Sequence, residues 1–299
     1  MADQPRMIVD VAQVSAVTQL SPSYVRVELT GPEFAELGVD GPWLDQRIKL
    51  VFPSAAGLPP LTPGIDDLWT HWRTLPEAER GHMRTYSVRD VVGEGDARRL
   101  VVDMVRHDSP GLSGPGGAWA CSAEVGAKVI VLAPRRGKEF GGIEFAPPAG
   151  HPILLVADET AVPAASRILA DLPDDARGHA FFEVPFAEDF LEVERPDGVA
   201  VHWLARGHED WGTRLIPEVL RHLGHTGGVQ AVADEEIDPN LWEVPTADEG
   251  DDERGDYYAW IAGESGVVTT LRRHLVRDLE FPKSRVAFMG YWRKGVTMG

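Results

Sequence analysis

The chain has 299 residues, 43% of hydrophobic type, and 47 acidic against 29 basic side chains give it a formal charge of −18. That length suffices for two domains with cores of their own, and the negative far field excludes nucleic acid and an anionic membrane surface as general partners, so any anionic ligand must be held by local positive charge. A single cysteine, Cys121, excludes an internal disulfide and a thiolate metal site and reads as a small packed residue.

No apolar run reaches the roughly eighteen residues of a membrane span, so no stable insertion is expected. The start Met1-Ala2-Asp3-Gln4-Pro5 has neither the basic residues nor the apolar core of a signal peptide, which points to the cytoplasm. From Val9 to Leu29 a Val-rich alternation broken by Ser21-Pro22-Ser23 predicts a hairpin that opens an antiparallel sheet. Arg47 to Phe52 predicts another strand, with Lys49 the lone charge between Ile48 and Leu50. Pro53 to Gly81, rich in Pro and Gly, reads as a long excursion with at most one helical turn, in which Trp69 and Trp72 either shape a ligand mouth or pin the loop.

The chain re-enters the sheet with Arg84-Thr85-Tyr86-Ser87-Val88-Arg89. In a strand Arg84 and Tyr86 share one face while Thr85 and Ser87 share the other. A guanidinium beside a phenol suits a ligand that is anionic at one end and aromatic at the other, as a flavin dinucleotide is. Leu100 to Val105 predicts a strand followed by His107, and Ser109 to Ala120 is a run of small residues whose backbone amides could approach a pyrophosphate. Lys128 to Leu132 completes a set of about six strands, expected to form a small closed antiparallel barrel over residues 1–148.

Beyond Pro147-Pro148-Ala149-Gly150 the pattern changes to alternating strands and helices, predicting an open parallel α/β sheet over residues 149–299. Strands are expected at 151–157, 180–184, 200–204, 229–233, 257–262 and 285–289, and helices opened by Asp158 to Pro163 and running to about Leu169, and at about 212–223 and 267–278. The acidic stretches Asp234 to Glu236 and Asp248 to Glu253 read as solvated loop. Gly-x-Gly-x-x-Gly is absent, Gly263-Glu264-Ser265-Gly266 lacks the spacing of a nucleophile elbow, and His222 and His225 have no further ligand at metal spacing in the sequence, so no metal site is predicted.

Four segments in order, Arg84 to Arg89, Val156 to Ala164, Ala259 to Glu264 and Gly290-Tyr291-Trp292-Arg293-Lys294-Gly295, resemble the siderophore-interacting proteins, a branch of the ferredoxin-reductase-like flavoproteins. The resemblance implies FAD held by Arg84, Thr85, Tyr86, Ser87, His107 and the Gly114, Gly116, Gly117, Ala118 loop. The family's serine in that loop is replaced here by Gly117, which shifts the burden to backbone amides. It further implies NADH or NADPH along Asp158, Glu159, Thr160, Ala161, Gly263 and Glu264, with Arg206 a candidate for a 2′-phosphate. An anionic ferric-siderophore would meet Lys49, Arg293 and Lys294, the last two carried back by flexible Gly290 and Gly295. The expectation is a monomeric reductase of ferric iron with no catalytic side chain of its own, since the flavin supplies the chemistry. Electron transfer to a ferredoxin-like protein, and siderophore binding without turnover, stay open.

Overall fold

Stretches of alternating valine, isoleucine and leucine become the strands of two sheets, one in each of two units, residues 1–143 and 144–298. The computed structural model describes residues 5–61, 68–106, 114–225, 227–238, 240–245 and 257–296.

In the first unit β1 (Met7–Gln19), β2 (Tyr24–Thr30), β3 (Arg47–Phe52), β4 (His82–Ser87), β5 (Asp90–Val92), β6 (Arg99–Val105) and β7 (Lys128–Pro134) form one antiparallel sheet in the order β4-β3-β7-β1-β2-β6-β5. β4 and β5 lie at opposite ends of that order yet only Val88 and Arg89 separate them. A flat sheet of seven strands would hold its edges about 29 Å apart, whereas this link spans roughly 10 Å, so the sheet must curl. The link itself touches both ends: Val88 donates its N–H to Gln46 O beside β3 (2.9 Å), and Arg89 donates to Val101 O of β6 (3.0 Å). The closed barrel expected from the sequence is thus a curled half-barrel, joined by the chain rather than by a ladder.

Period-two burial gives the sheet two apolar faces. Ile8, Val25, Ile48, Leu50, Phe52, Leu100 and Val131 belong to the larger core. Their neighbours Val9, Val51, Met83, Ile130 and Leu132 pack under Leu61 and a helix longer than the single turn expected, α1 (Leu68–Thr74). Trp72 is buried there with its indole donating to Arg80 O (2.7 Å), so it pins the excursion, while Trp69 stacks on it at 5.2 Å and stays 41% exposed. Helix α2 (Pro115–Ser122) follows β6 and carries Cys121, which is exposed rather than packed.

In the second unit β8 (Ile153–Asp158), β9 (Gly178–Val184), β10 (Val199–Ala205), β11 (Trp242–Glu243), β12 (Tyr258–Glu264) and β13 (Val286–Trp292) run in the order β10-β9-β8-β12-β13-β11. The sheet is mixed, not wholly parallel, because β11 pairs antiparallel to β13 at the edge. Helices α3 (Val162–Asp171), α4 (Leu215–His222) and α5 (Ser265–Arg273) cover it, and α5 ends in a π turn, His274–Asp278. The strand expected at 229–233 does not form. Two amides there are used otherwise, Gln230 N–H by His274 Nε2 and Val232 N–H by Thr270 Oγ1, both on the α5 segment.

Segment 144–146 is fixed to its own unit by buried Tyr258. The phenol hydroxyl accepts from Ala146 N–H (3.1 Å) and donates to Glu144 O (3.2 Å), and Phe145 meets the ring edge-on at 5.6 Å. Tyr258→Phe leaves two backbone groups without that partner, so urea denaturation of the full chain should show a loss of about 1–3 kcal/mol.

Candidate functional site

In the first unit the β3–β4 register sets Ile48 opposite Tyr86, Leu50 opposite Arg84 and Lys49 opposite Thr85. Arg84 and Tyr86 therefore lie on the face of the larger core, and Lys49 and Thr85 on the other. Tyr86 meets Phe52 edge-on at 6.0 Å, and Phe52 in turn packs on Trp119 of α2 at 5.1 Å. Helix α2 reaches β4 only because residue 116 is glycine: a Cβ there would collide with the Tyr86 hydroxyl. The first turn of α2 thereby comes to the strip, where the amides of Gly116 and Gly117 have no acceptor within the helix.

Arg84 is half-buried, and burial lowers its pKa from the ordinary value. It donates to Met83 O (2.7 Å), and among the described residues no carboxylate pairs with it. Lys49 is in a similar position: Nζ donates to Thr85 Oγ1 (2.6 Å) and stands 5.8 Å from the Trp69 ring, with its pKa lowered by burial and then by Arg47 and Arg84. A half-buried guanidinium without a counter-ion, beside free amides and a phenol, is a ready acceptor for a phosphate group. These residues fit the pyrophosphate and ring of FAD. His107 and residues 109–113 lie outside the described residues; Thr85 is exposed and Ser87 half-buried.

In the second unit the strand order reverses direction between β8 and β12, which is where open α/β sheets bind ligands. The structure gathers Asp158, Thr160, Gly263 and Glu264 there. Asp158 accepts from Thr160 N–H (2.8 Å) and Oγ1 (2.5 Å), from Glu264 N–H (2.7 Å) and from the Trp292 indole (2.9 Å). Gly263 leaves room for this carboxylate, since a Cβ would stand 2.7 Å from Asp158 Cγ, and its φ of +147° is glycine territory. Burial, then the neighbouring charge of Glu159, push the Asp158 carboxyl up to about 6 against those four donors.

Of the six residues expected along a nicotinamide path, Asp158, Glu159, Ala161, Gly263 and Glu264 are buried, and only Thr160 is partly open. Glu159 is held by a fork from Arg206 (2.7 and 2.8 Å) and by the Trp211 indole (2.8 Å). Arg206, expected as a solvated residue or a 2′-phosphate partner, is instead 6% exposed and stacked 4.6 Å over Trp211. Glu264 accepts from Gly266 and Val267 N–H and so caps α5. Glu183 does the same for α4, taking Gly212, Arg214 and Leu215 N–H, while burial holds its carboxyl above the usual range against the pull of those amides.

The basic C-terminal segment is also committed. Arg293 forms ion pairs with Glu264 and Asp234, each at 2.7 Å, and Lys294 with Asp210 at 2.5 Å, so neither supplies a bare cation. Asp234 and Glu236, read as solvated loop, are ion-pair partners of Arg293 and Arg273, whereas the 248–253 stretch lies outside the described residues. Gly290 is no hinge but part of β13, where a Cβ would meet Ser265 Oγ at 2.6 Å. Gly295, by contrast, has φ +76° in a turn closed by the Arg293–Val296 bridge.

Model matching covers both units. Residues 13–138 match the siderophore-interacting FAD-binding domain and residues 151–295 match the siderophore-interacting protein model. The chain belongs to the siderophore-interacting protein family. A solved siderophore utilization protein from T. fusca is 31% identical, with a TM-score of 0.71, over 99% of this chain and 96% of that one. Ferric vibriobactin reductase ViuB of Vibrio cholerae is 27% identical over 281 residues, 92% of this chain and 86% of its own length. A ferredoxin reductase of carbazole 1,9a-dioxygenase, 15% identical with a TM-score of 0.58 over 95% of this chain and 67% of that one, shares the fold. No helix among the described residues is long and apolar enough to cross a membrane.

Sequence reading missed Glu183 as a helix cap and Trp292 as the partner of Asp158, because each acts on a residue distant in the chain. Asp158 holds its proton more tightly folded than unfolded. Its contribution to stability is therefore largest below the ordinary carboxylate pKa of about 4 and is lost as pH rises through about 6. The indole N–H resonance of Trp292 should shift with a midpoint near 6 by NMR, and that titration should vanish in Asp158→Asn.

Proposed function

We propose that this chain is a cytoplasmic FAD-dependent oxidoreductase that uses a reduced nicotinamide to convert ferric iron in a siderophore to ferrous iron. Its membership of the family and the ViuB likeness support the reaction class. The observation that carries it is the half-buried Arg84 charge, with no carboxylate partner among the described residues, set beside Tyr86 and the opening turn of α2.

When bound, FAD would supply the means to take one hydride, two electrons, from one donor and deliver them singly to two ferric centres. In this reading Arg84 neutralises the pyrophosphate, the amides of Gly116 and Gly117 complete its cradle beside Gly114 and Ala118, and Tyr86, on the same face as Arg84, stands beside the ring. Burial raises the Tyr86 phenol well above its ordinary pKa, so it stays neutral and positions the ring as a hydrogen-bond donor. Hard oxygen ligands release ferrous iron, so no proton donor is needed at the chelate, only proximity and a favourable charge. Lys49 provides that charge; Arg293 and Lys294, already paired, do not.

The nicotinamide cofactor's adenosine end is assigned to a cavity of about 570 Å³ past the carboxyl ends of β9 and β10, lined by Phe186, Glu188, His208, Glu209 and Arg214. Arg206 on its wall is taken by Glu159, and Arg214 is paired with Glu209 at 2.6 Å. With no unpaired arginine for a 2′-phosphate and carboxylates at hand for a ribose hydroxyl, NADH should give the higher kcat/KM. Steady-state rates with the two donors compare them.

Arg84→Ala removes a charge-assisted contact worth about 1.5–3 kcal/mol, so flavin titration should show FAD affinity lowered roughly 10- to 100-fold. Unchanged affinity would contradict the site. Lys49→Ala should raise the KM for an anionic ferric chelate at low salt while leaving FAD affinity unaltered.

A further inference from the structure

His225 finds in the structure the company it lacks in the sequence. It follows α4 and lies against His274 and Asp278, the first and last residues of the π turn that ends α5, with imidazole rings 5.2 Å apart. One nitrogen of each histidine and one carboxylate oxygen of Asp278 all lie within 4.8 Å of one another. His274 is 3% exposed, accepts the Gln230 N–H at Nε2 (3.3 Å) and meets Asp278 Oδ2 through Nδ1 (2.5 Å). His225 Nε2 is shut off from solvent and has no hydrogen-bond partner among the described residues. Gly227 makes that approach possible, since a Cβ there would stand 2.9 Å from this nitrogen.

A buried nitrogen lone pair without a donor is unfavourable, and a metal ion satisfies it where no protein group does. We propose that His225, His274 and Asp278 bind one divalent first-row transition ion, with Zn²⁺ the leading candidate. Two imidazoles and a carboxylate suit that class, whereas Ca²⁺ and Mg²⁺ prefer oxygen alone. Ligand atoms around tetrahedral zinc stand about 3.3 Å apart, so the set must draw in slightly. Asp278, whose side chain is 43% exposed, is free to make that adjustment and leaves a coordination position open to water. Coordination through His274 Nδ1 moves that ring's proton to Nε2 at the expense of the Gln230 contact, and the ion then fastens the segment after α4 to the end of α5. π turns recur at functional positions, and here the turn brings the two ligands of α5 to the third.

This site is independent of the flavin reading and needs neither FAD nor a siderophore. A second histidine group, His179, His202 and His222, is its natural rival, with His179 Nδ1 and His202 Nε2 bonded at 3.0 Å, but among the described residues its ligand atoms do not converge as the first set's do. The test strips the full-length protein with a chelator and titrates it with Co²⁺, following ligand-field absorption, Zn²⁺ competition and thermal melting. A single equivalent should give a visible band, Zn²⁺ should displace it, and either ion should raise the melting temperature. His225→Ala and Asp278→Asn should each weaken Co²⁺ roughly tenfold or more and remove the melting shift, while His202→Ala leaves both intact. Asp278→Asn changes a half-exposed side chain and so reports even if His225→Ala folds poorly. Absence of a band, equal affinity in Asp278→Asn, or loss of binding on His202→Ala instead would each overturn the proposal.

Discussion

Two residues, Val88 and Arg89, join the opposite ends of a seven-stranded sheet, and the first unit takes its form from that link. A span of roughly 10 Å cannot bridge a flat sheet, so curling is obligatory, and it encloses the core that carries Ile48, Leu50 and Tyr86. The strand entering the link then has one face committed to that core. Arg84 shares this face and is half-buried, and among the described residues it has no carboxylate partner. Burying a charge without its counter-ion is unfavourable, and a phosphate removes the penalty. Gly116 lets α2 deliver its first amides to the same place.

The second unit uses charge in the opposite sense. In many α/β sheets the helix N-termini are open to a pyrophosphate, but here Glu264 and Glu183 occupy the first amides of α5 and α4, and Asp158 fills the turn before α3. These carboxylates lock the sheet's carboxyl edge, with Arg206 and Arg293 drawn in as partners for Glu159 and Glu264. The helix N-termini that serve as anion sites in many α/β sheets are thus occupied by the protein's own carboxylates, in keeping with the lack of a Gly-x-Gly-x-x-Gly turn. The C-terminal cations Arg293 and Lys294 are likewise paired within the unit, with Glu264, Asp234 and Asp210.

Local pattern carried most of the fold. The Ser21-Pro22-Ser23 turn, the apolar run ending at Asp158 and the alternation around Arg84 are written in neighbouring residues, and the strands form there. The 229–233 stretch has a strand's composition, but its amides find His274 and Thr270 on α5, a competition no window around it could show. Helix α1 was obscured by the Pro- and Gly-rich run around it. At the sites, sequence pointed to the positions and not to their roles. Asp158, Gly263 and Glu264 do converge, but as a buried network, and Arg293 reads as a free cation until Glu264 and Asp234 are seen beside it. His225 was set aside because its partners stand far along the chain.

The central claim is that this protein holds FAD and passes electrons from a nicotinamide to siderophore-bound iron. Its most direct test is anaerobic formation of ferrous iron, trapped by a ferrous chelator, from the full-length protein with FAD, NADH and an anionic ferric-siderophore. The account predicts steady ferrous release that requires protein, FAD and NADH together and exceeds the rate with FAD and NADH alone. A protein that binds the ferric-siderophore but adds nothing to that protein-free rate with either NADH or NADPH would contradict it.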